Sequence, residues 1–222
     1  YDENSELSKL NNDINTKISD ELMQLIKIGV EWYEKSNGLL NINIGNLTKL
    51  WHDFRENPAK LPDVDEIEIS KINIENDKIL NDEVSIDLGS ITKGYVTELA
   101  GNYLEENKLE YYIINAGGNV KTGKSYKGYY NIGIASPINQ NETFEIIKGE
   151  NISVVTSGGY ERFYEYEGIL YHHIIDPNTK YPANNMKSVT VIGKNSGECD
   201  ALSTILFLMD IKTGQEFIKN YD

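Results

Sequence analysis

The 222-residue chain holds a single cysteine, Cys199. That excludes a disulfide framework and a cysteine-rich zinc site. Basic residues are also scarce. There are 21 Lys and Arg against 35 Asp and Glu, for a net charge of −14. Such a chain repels phosphate backbones, so nucleic acid is a poor expectation as a partner. No apolar run approaches the roughly 20 residues of a membrane span. The longest, near Ile205–Met209, is core-sized. Low-complexity stretches and internal repeats are absent too. What remains is a composition of 39% hydrophobic residues, within the globular range and enough for a sizeable core.

Helical spacing stands out in three places. Ser19-Asp20-Glu21 reads as a capped helix start, with Leu22, Leu25, Ile26, Gly29, Val30 and Tyr33 on one face and Gly38 as the stop. A second helix follows Ser90, with Val96, Leu99, Tyr103 and Leu104 expected inward. A third begins near Gly197 and carries Ala201, Thr204, Ile205 and Leu208. Strand-like runs cover 84–88, 111–115, 129–134, 152–156, 169–175 and 188–193, rich in Val, Ile, Thr and Tyr. The order lacks βαβ alternation. It implies an α+β fold of mixed, largely antiparallel sheets packed with helices, with antiparallel pairing after residue 125. Residues 57–77, with Pro58 and Pro62, read as the most loop-like stretch.

Four segments carry candidate chemistry. Asp87 through Gly94 (DLGSITKG) joins a small-residue turn to a helix start, where backbone N–H groups and Lys93 could receive an anion. The alternative is an ordinary helix entry; the P-loop spacing is absent. Asn115-Ala116-Gly117-Gly118-Asn119 is either a ligand-approach loop or a tight turn. Thr156 through Arg162 (TSGGYER) precedes His172-His173-Ile174-Ile175-Asp176-Pro177. Adjacent histidines on a strand face opposite ways, so at most one faces a site. His173, Asp176 and Thr179 could line a polar pocket, or His173 could be a surface residue beside a proline turn. Finally, Asp200 and Thr204 are four apart on one helical face. A carboxylate and a hydroxyl suit a hard cation, Mg²⁺ or Ca²⁺. They equally fit a helix-start Asp and a Thr bonded back to its own helix. Cys199 beside them reads as a buried inert thiol.

Taken in order, these segments resemble the FAD:protein FMN transferase family, the ApbE-like flavin transferases formerly called thiamine-biosynthesis lipoproteins. The resemblance also rests on Ser5 through Asn11, Ser36-Asn37-Gly38, Leu50-Trp51, the run His173 to Thr179, and Asp200 to Thr204. It covers nearly the whole chain, as one domain over 1–222. It implies an enzyme that binds FAD and Mg²⁺ and moves FMN to a Thr or Ser hydroxyl of an acceptor protein, a subunit of a redox complex, with loss of AMP. Some relatives hydrolyse FAD to FMN and AMP instead, and a non-catalytic flavin-binding protein is a further alternative. By motif position, the metal ligands are the Ser90 carbonyl, Asp200 and Thr204. Leu39, Leu40, Asn41, Asp87, Lys93 and the backbone near Ile174 contact FAD. His173 is the proton acceptor and Asp176 orients its loop. The family pattern also implies an exported protein held to the membrane by a lipid anchor outside this chain.

Departures accompany the likeness. Leu40-Asn41 stands where relatives carry an aromatic residue and Asp, and Lys180 stands where they carry Gly. The leading strand with its Met-Gly-Thr-like flavin contact is not in this sequence, and Asp222 falls before the usual tail. The expectation is a domain truncated at both ends or a reduced member of the family, with weakened FAD affinity in either case.

Overall fold

A computed structural model describes residues 2–56, 60–160 and 163–221. Residues 57–59 of the loop-like stretch and Glu161-Arg162 of the third motif lie outside the described residues. The chain opens with α1 (Glu6–Asn12), α2 (Asp20–Lys35) and α3 (Gly45–Glu56), then the short strands β1 (Ile74–Glu75) and β2 (Lys78–Ile79). α4 (Thr92–Glu106) follows, then β3 (Ile113–Asn115), β4 (Asn119–Thr122), β5 (Tyr130–Ala135) and β6 (Thr143–Gly149). After β7 (Ser153–Gly158) come β8 (Phe163–Tyr166), β9 (Ile169–His172) and β10 (Ser188–Gly193). α5 (Ser196–Leu208), α6 (Ile211–Phe217) and a 3-10 turn (Ile218–Asn220) complete it. Every strand pair among the described residues is antiparallel. The α+β expectation holds.

The chain divides into two compact units: Tyr1–Ser90 with Phe163–Pro182, and Ile91–Arg162 with Ala183–Asp222. In unit 1, α2 begins where the sequence placed it. Ser19 Oγ accepts the Leu22 N–H, and Leu25, Ile26, Gly29 and Trp32 are buried. The helix stops through Asn37 and Gly38, both at positive φ, with the Gly38 N–H returning to the Tyr33 carbonyl. α3 is an element the sequence reading omitted. Leu47, Trp51 and Phe54 are its buried face. Around it lies an apolar cluster with Val64, Tyr171 and Ile175, and Trp51 stacks on Tyr171 with ring centroids 5.6 Å apart.

Residues 84–88 are not a strand. Val84, Ile86 and Leu88 are buried, so the alternation reported burial correctly. The backbone is instead held in a mixed way: the Asp87 N–H donates to the Ile42 carbonyl and the Ser85 carbonyl accepts the Gly45 N–H, while side-chain amides satisfy the groups between. Asn11 donates from Nδ2 to the Ile86 carbonyl and accepts the Ile86 N–H at Oδ1, at 2.9 and 2.8 Å. Asn43 Oδ1 accepts the Ser85 N–H at 2.8 Å.

In unit 2, β10, β7, β4 and β3 form a four-stranded sheet in that order, and β5 and β6 make a separate hairpin. α5 lies on β7 and β10, and α4 packs on α5 and β4. α4 departs from expectation. Its inward face is Gly94, Thr97 and Gly101, whereas Val96, Leu99 and Tyr103 are exposed and Leu104 is half-buried. Close helix approach explains the reversal. A Cβ on Gly94 would lie 2.4 Å from Asp200 Cβ and 2.5 Å from the Ser196 carbonyl oxygen. Only glycine admits α5 at that distance.

Candidate functional site

The residues singled out from the sequence fall into both units. Unit 1 holds Leu39, Leu40, Asn41, Asp87, Ser90, His173, Ile174 and Asp176; unit 2 holds Lys93, Asp200 and Thr204.

In unit 1 the segment after α2 and the segment before α4 lie side by side. The Asp87 N–H donates to the Ile42 carbonyl at 2.8 Å. Leu40 is buried, and its N–H donates to Ser36 Oγ at 2.9 Å. Asn41 Oδ1 accepts the Asn43 N–H at 2.9 Å. So Leu39–Asn41 and Asp87 do share one edge of unit 1. Asp87 is held from two sides: Oδ1 accepts the Gly89 N–H and Oδ2 accepts the Thr48 hydroxyl, both at 2.8 Å. Thr48 belongs to α3 and was missed from the sequence. The spacing of Leu47, Leu50, Trp51 and Phe54 is a helical stripe that places Thr48 within the helix, but nothing near it in the sequence names Asp87 as its partner.

β9 ends at His172, and His173 follows it exposed. His172 is half-buried and its Nδ1 accepts the Ile174 N–H at 3.2 Å. That N–H is therefore engaged within the loop. Asp176 organises the turn beyond. Its Oδ1 accepts the Asn178 N–H at 2.8 Å, its N–H donates to the Tyr181 carbonyl, and its carbonyl accepts the Lys180 N–H. Trp51 Nε1 donates to the Lys180 carbonyl at 2.9 Å, tying this turn to α3. Lys180 itself has φ +63°. That left-handed backbone accounts physically for a position where glycine is the easier residue.

In unit 2 the start of α4 is already met by an anion from within the chain. The Gly94 N–H donates to Asp200 Oδ2 at 2.6 Å. Lys93 Nζ donates to the Gly117 carbonyl at 2.8 Å, which joins the first glycine motif to the second. Gly117 and Gly118 both sit at positive φ in the β3–β4 turn, where a bonded tight turn is what the pair forms. Asp200 is 5% exposed. Burial pushes its carboxyl up to about 6, while the Gly94 N–H and the Lys93 charge pull the other way. No ion-pair partner reaches it among the described residues. Thr204 lies one turn along the same face, half-buried. The back-bond to the Asp200 carbonyl is made by Ser203, at 2.9 Å, and Thr204 instead meets Ser157 of β7. A buried carboxylate without a cation, beside a hydroxyl, is a donor set that fits a hard cation. No cluster of three or more His, Cys, Asp or Glu side chains occurs among the described residues, so any metal here takes hydroxyl or carbonyl oxygens as well. Cys199 is buried and its thiol is pushed up to about 12 by that burial, which makes it inert, as read from the sequence.

The model of the ApbE family matches residues 1–222. The chain belongs to the ApbE family. The FAD:protein FMN transferase of Vibrio cholerae is 30% identical, covering 96% of this chain and 69% of that protein. The FAD:protein FMN transferase of Treponema pallidum is 27% identical, covering 92% and 64%. The ApbE protein of Thermotoga maritima superposes with a TM-score of 0.89 at 30% identity, over 100% of this chain and 76% of that one. The flavin transferase ApbE of Vibrio cholerae superposes with a TM-score of 0.82 at 28% identity, again over 100% and 76%. The chain thus spans roughly two thirds of the length of these two curated ApbE relatives.

Proposed function

We propose that this ApbE-family chain is a Mg²⁺-dependent FAD:protein FMN transferase. The name of its relatives supports the transferase reading. The observation that carries the metal is Asp200: a buried carboxylate, held by one backbone N–H and lacking a paired cation among the described residues. Asp200 and Thr204 would hold Mg²⁺, with the Ser90 carbonyl joining them by family pattern. When bound, the ion neutralises charge developing on the pyrophosphate.

The chain's own groups do the rest. Asp87, fixed by Thr48 and Gly89, and the Leu39–Asn41 segment beside it bind FAD, together with Lys93 and the backbone at Ile174. His173, exposed beyond β9, takes the proton of the incoming Thr or Ser hydroxyl. The hydroxyl oxygen bonds to the phosphorus of the FMN half, and the bond from that phosphorus to the AMP oxygen breaks. Asp176 keeps the His173 loop in place through its turn. The acceptor is a subunit of a redox complex, and the site of action is outside the cytoplasmic membrane, reached through a lipid anchor.

Mass spectrometry tests this directly. An acceptor peptide incubated with the protein, FAD and Mg²⁺ gains the mass of FMN less one water, and AMP appears in equal amount. His173→Ala slows transfer and leaves FAD binding intact. Release of FMN and AMP with no modified acceptor would assign a pyrophosphatase instead, and FAD binding without either product would assign a flavin carrier.

A further inference from the structure

Ser157 lies near the end of β7, opposite Val189 of β10, with α5 packed on the same strand. Its Oγ is 2.7 Å from Ser203 Oγ and 3.4 Å from Thr204 Oγ1. Nothing in the proposed transfer uses it. Its hydrogens are nevertheless settled by elimination. Ser203 Oγ is 2.9 Å from the Asp200 carbonyl, which can only accept. The one proton of Ser203 therefore goes to Asp200. Ser203 must then accept at its short contact with Ser157, which uses the one proton of Ser157. What Ser157 has left is lone pairs, so across the longer 3.4 Å contact only Thr204 can be the donor. The row runs in one sense only: Thr204 to Ser157, Ser157 to Ser203, Ser203 to the carbonyl of Asp200.

This polarity matters for a hydroxyl that binds a cation. Such a ligand offers an oxygen lone pair, and a proton on the same side would repel the ion. With its proton drawn toward β7, Thr204 Oγ1 keeps its lone pairs uncommitted. We infer that Ser157 is a positioning residue that orients the Thr204 hydroxyl for a hard dication. The inference deepens the metal reading above and rests on it. It also gives the Thr156-Ser157 step of the third motif a role distinct from its glycines: β7 supplies the group that sets the electrostatics of a ligand on α5. Because the row begins and ends on α5, at Thr204 and at the carbonyl of Asp200, both residues of the metal pair are linked through it.

Calorimetric titration of Mg²⁺ into the flavin-free protein tests it, without recourse to turnover. Ser157→Ala weakens Mg²⁺ binding by about tenfold to a hundredfold, the usual scale for a group that orients a metal ligand. Ser157→Thr, which restores a hydroxyl, recovers most of the affinity. Ser203→Ala also weakens it, because Ser157 is then free to turn its proton onto Thr204. Unchanged affinity in Ser157→Ala, with Asp200→Asn abolishing the heat, overturns the inference and leaves the metal reading standing. A wild-type protein that takes no Mg²⁺, or an Asp200→Asn variant that binds as well as wild type, overturns both. Should Ser157→Ala lose its cooperative thermal transition, Ser203→Ala decides alone: unchanged affinity there overturns the inference.

Discussion

Asp200 places two demands in opposition. Its carboxyl titrates at about 6 in the folded chain, raised from 3.8, chiefly by burial. A group whose folded value is raised adds stability that is complete below its unfolded value and lost as pH climbs through the folded value. At neutral pH the metal-free protein therefore holds an ionised side chain at a cost. Asp200→Asn should raise the Tm of the metal-free protein by a few degrees at neutral pH while eliminating Mg²⁺ binding; scanning calorimetry and titration of the same sample check both. In the wild type, Mg²⁺ affinity should fall about tenfold per pH unit once the pH drops below about 6, because the ligand must be deprotonated. An affinity flat between about pH 5 and 7 would remove Asp200 from the metal. The sequence made this residue visible through its four-residue spacing to Thr204, and a helix of the right phase followed. Ser157 and Thr48 were less accessible. Their roles depend on which strand or helix they come to lie against, and a single sequence does not encode that locally.

Helix α3 and the turn it supports show what an element contributes. Trp51 Nε1 holds the Lys180 carbonyl, and Lys180 Nζ in turn reaches the carbonyls of Val64 and Asp65 at 3.2 and 3.1 Å. Lys180 also occupies a left-handed backbone conformation. Two substitutions separate the two effects. Both Lys180→Ala and Lys180→Gly lose the tether, but only glycine relieves the backbone, by about 1 kcal/mol. Thermal melts should therefore rank Lys180→Gly above Lys180→Ala by a few degrees; the reverse order would mean that this turn carries no such strain. The same scale explains where reading the sequence succeeded. β10 spans Ser188–Gly193, as its β-branched run indicated, and α2 and α5 sit where caps and apolar spacing put them. α4 was found but turned the wrong way, since its glycines mark a close contact whose partner lies 106 residues on. Residues 84–88 read as a strand because their apolar alternation is that of one, but side-chain amides from Asn11 and Asn43 take part of the place of a partner strand.

At the scale of the molecule, charge is the dominant sequence-level quantity. A net charge of −14 disfavours any compact state through self-repulsion, and added salt screens it. Raising NaCl from about 0.02 to 0.5 M should lift the Tm, beyond any effect of Mg²⁺, and a falling Tm would show that local ion pairs such as Lys121–Glu98 outweigh the overall repulsion. The path of the chain has a different implication. It leaves unit 1 after Ser90, returns for Phe163–Pro182, and leaves again. A gene fragment ending at Ser90 would deprive Trp51 of Tyr171, and one starting at Ile91 would carry β8 and β9 without the helix they pack on. Because each unit is assembled from two separated stretches of chain, neither can be lifted out whole or grafted onto another protein by a single cut.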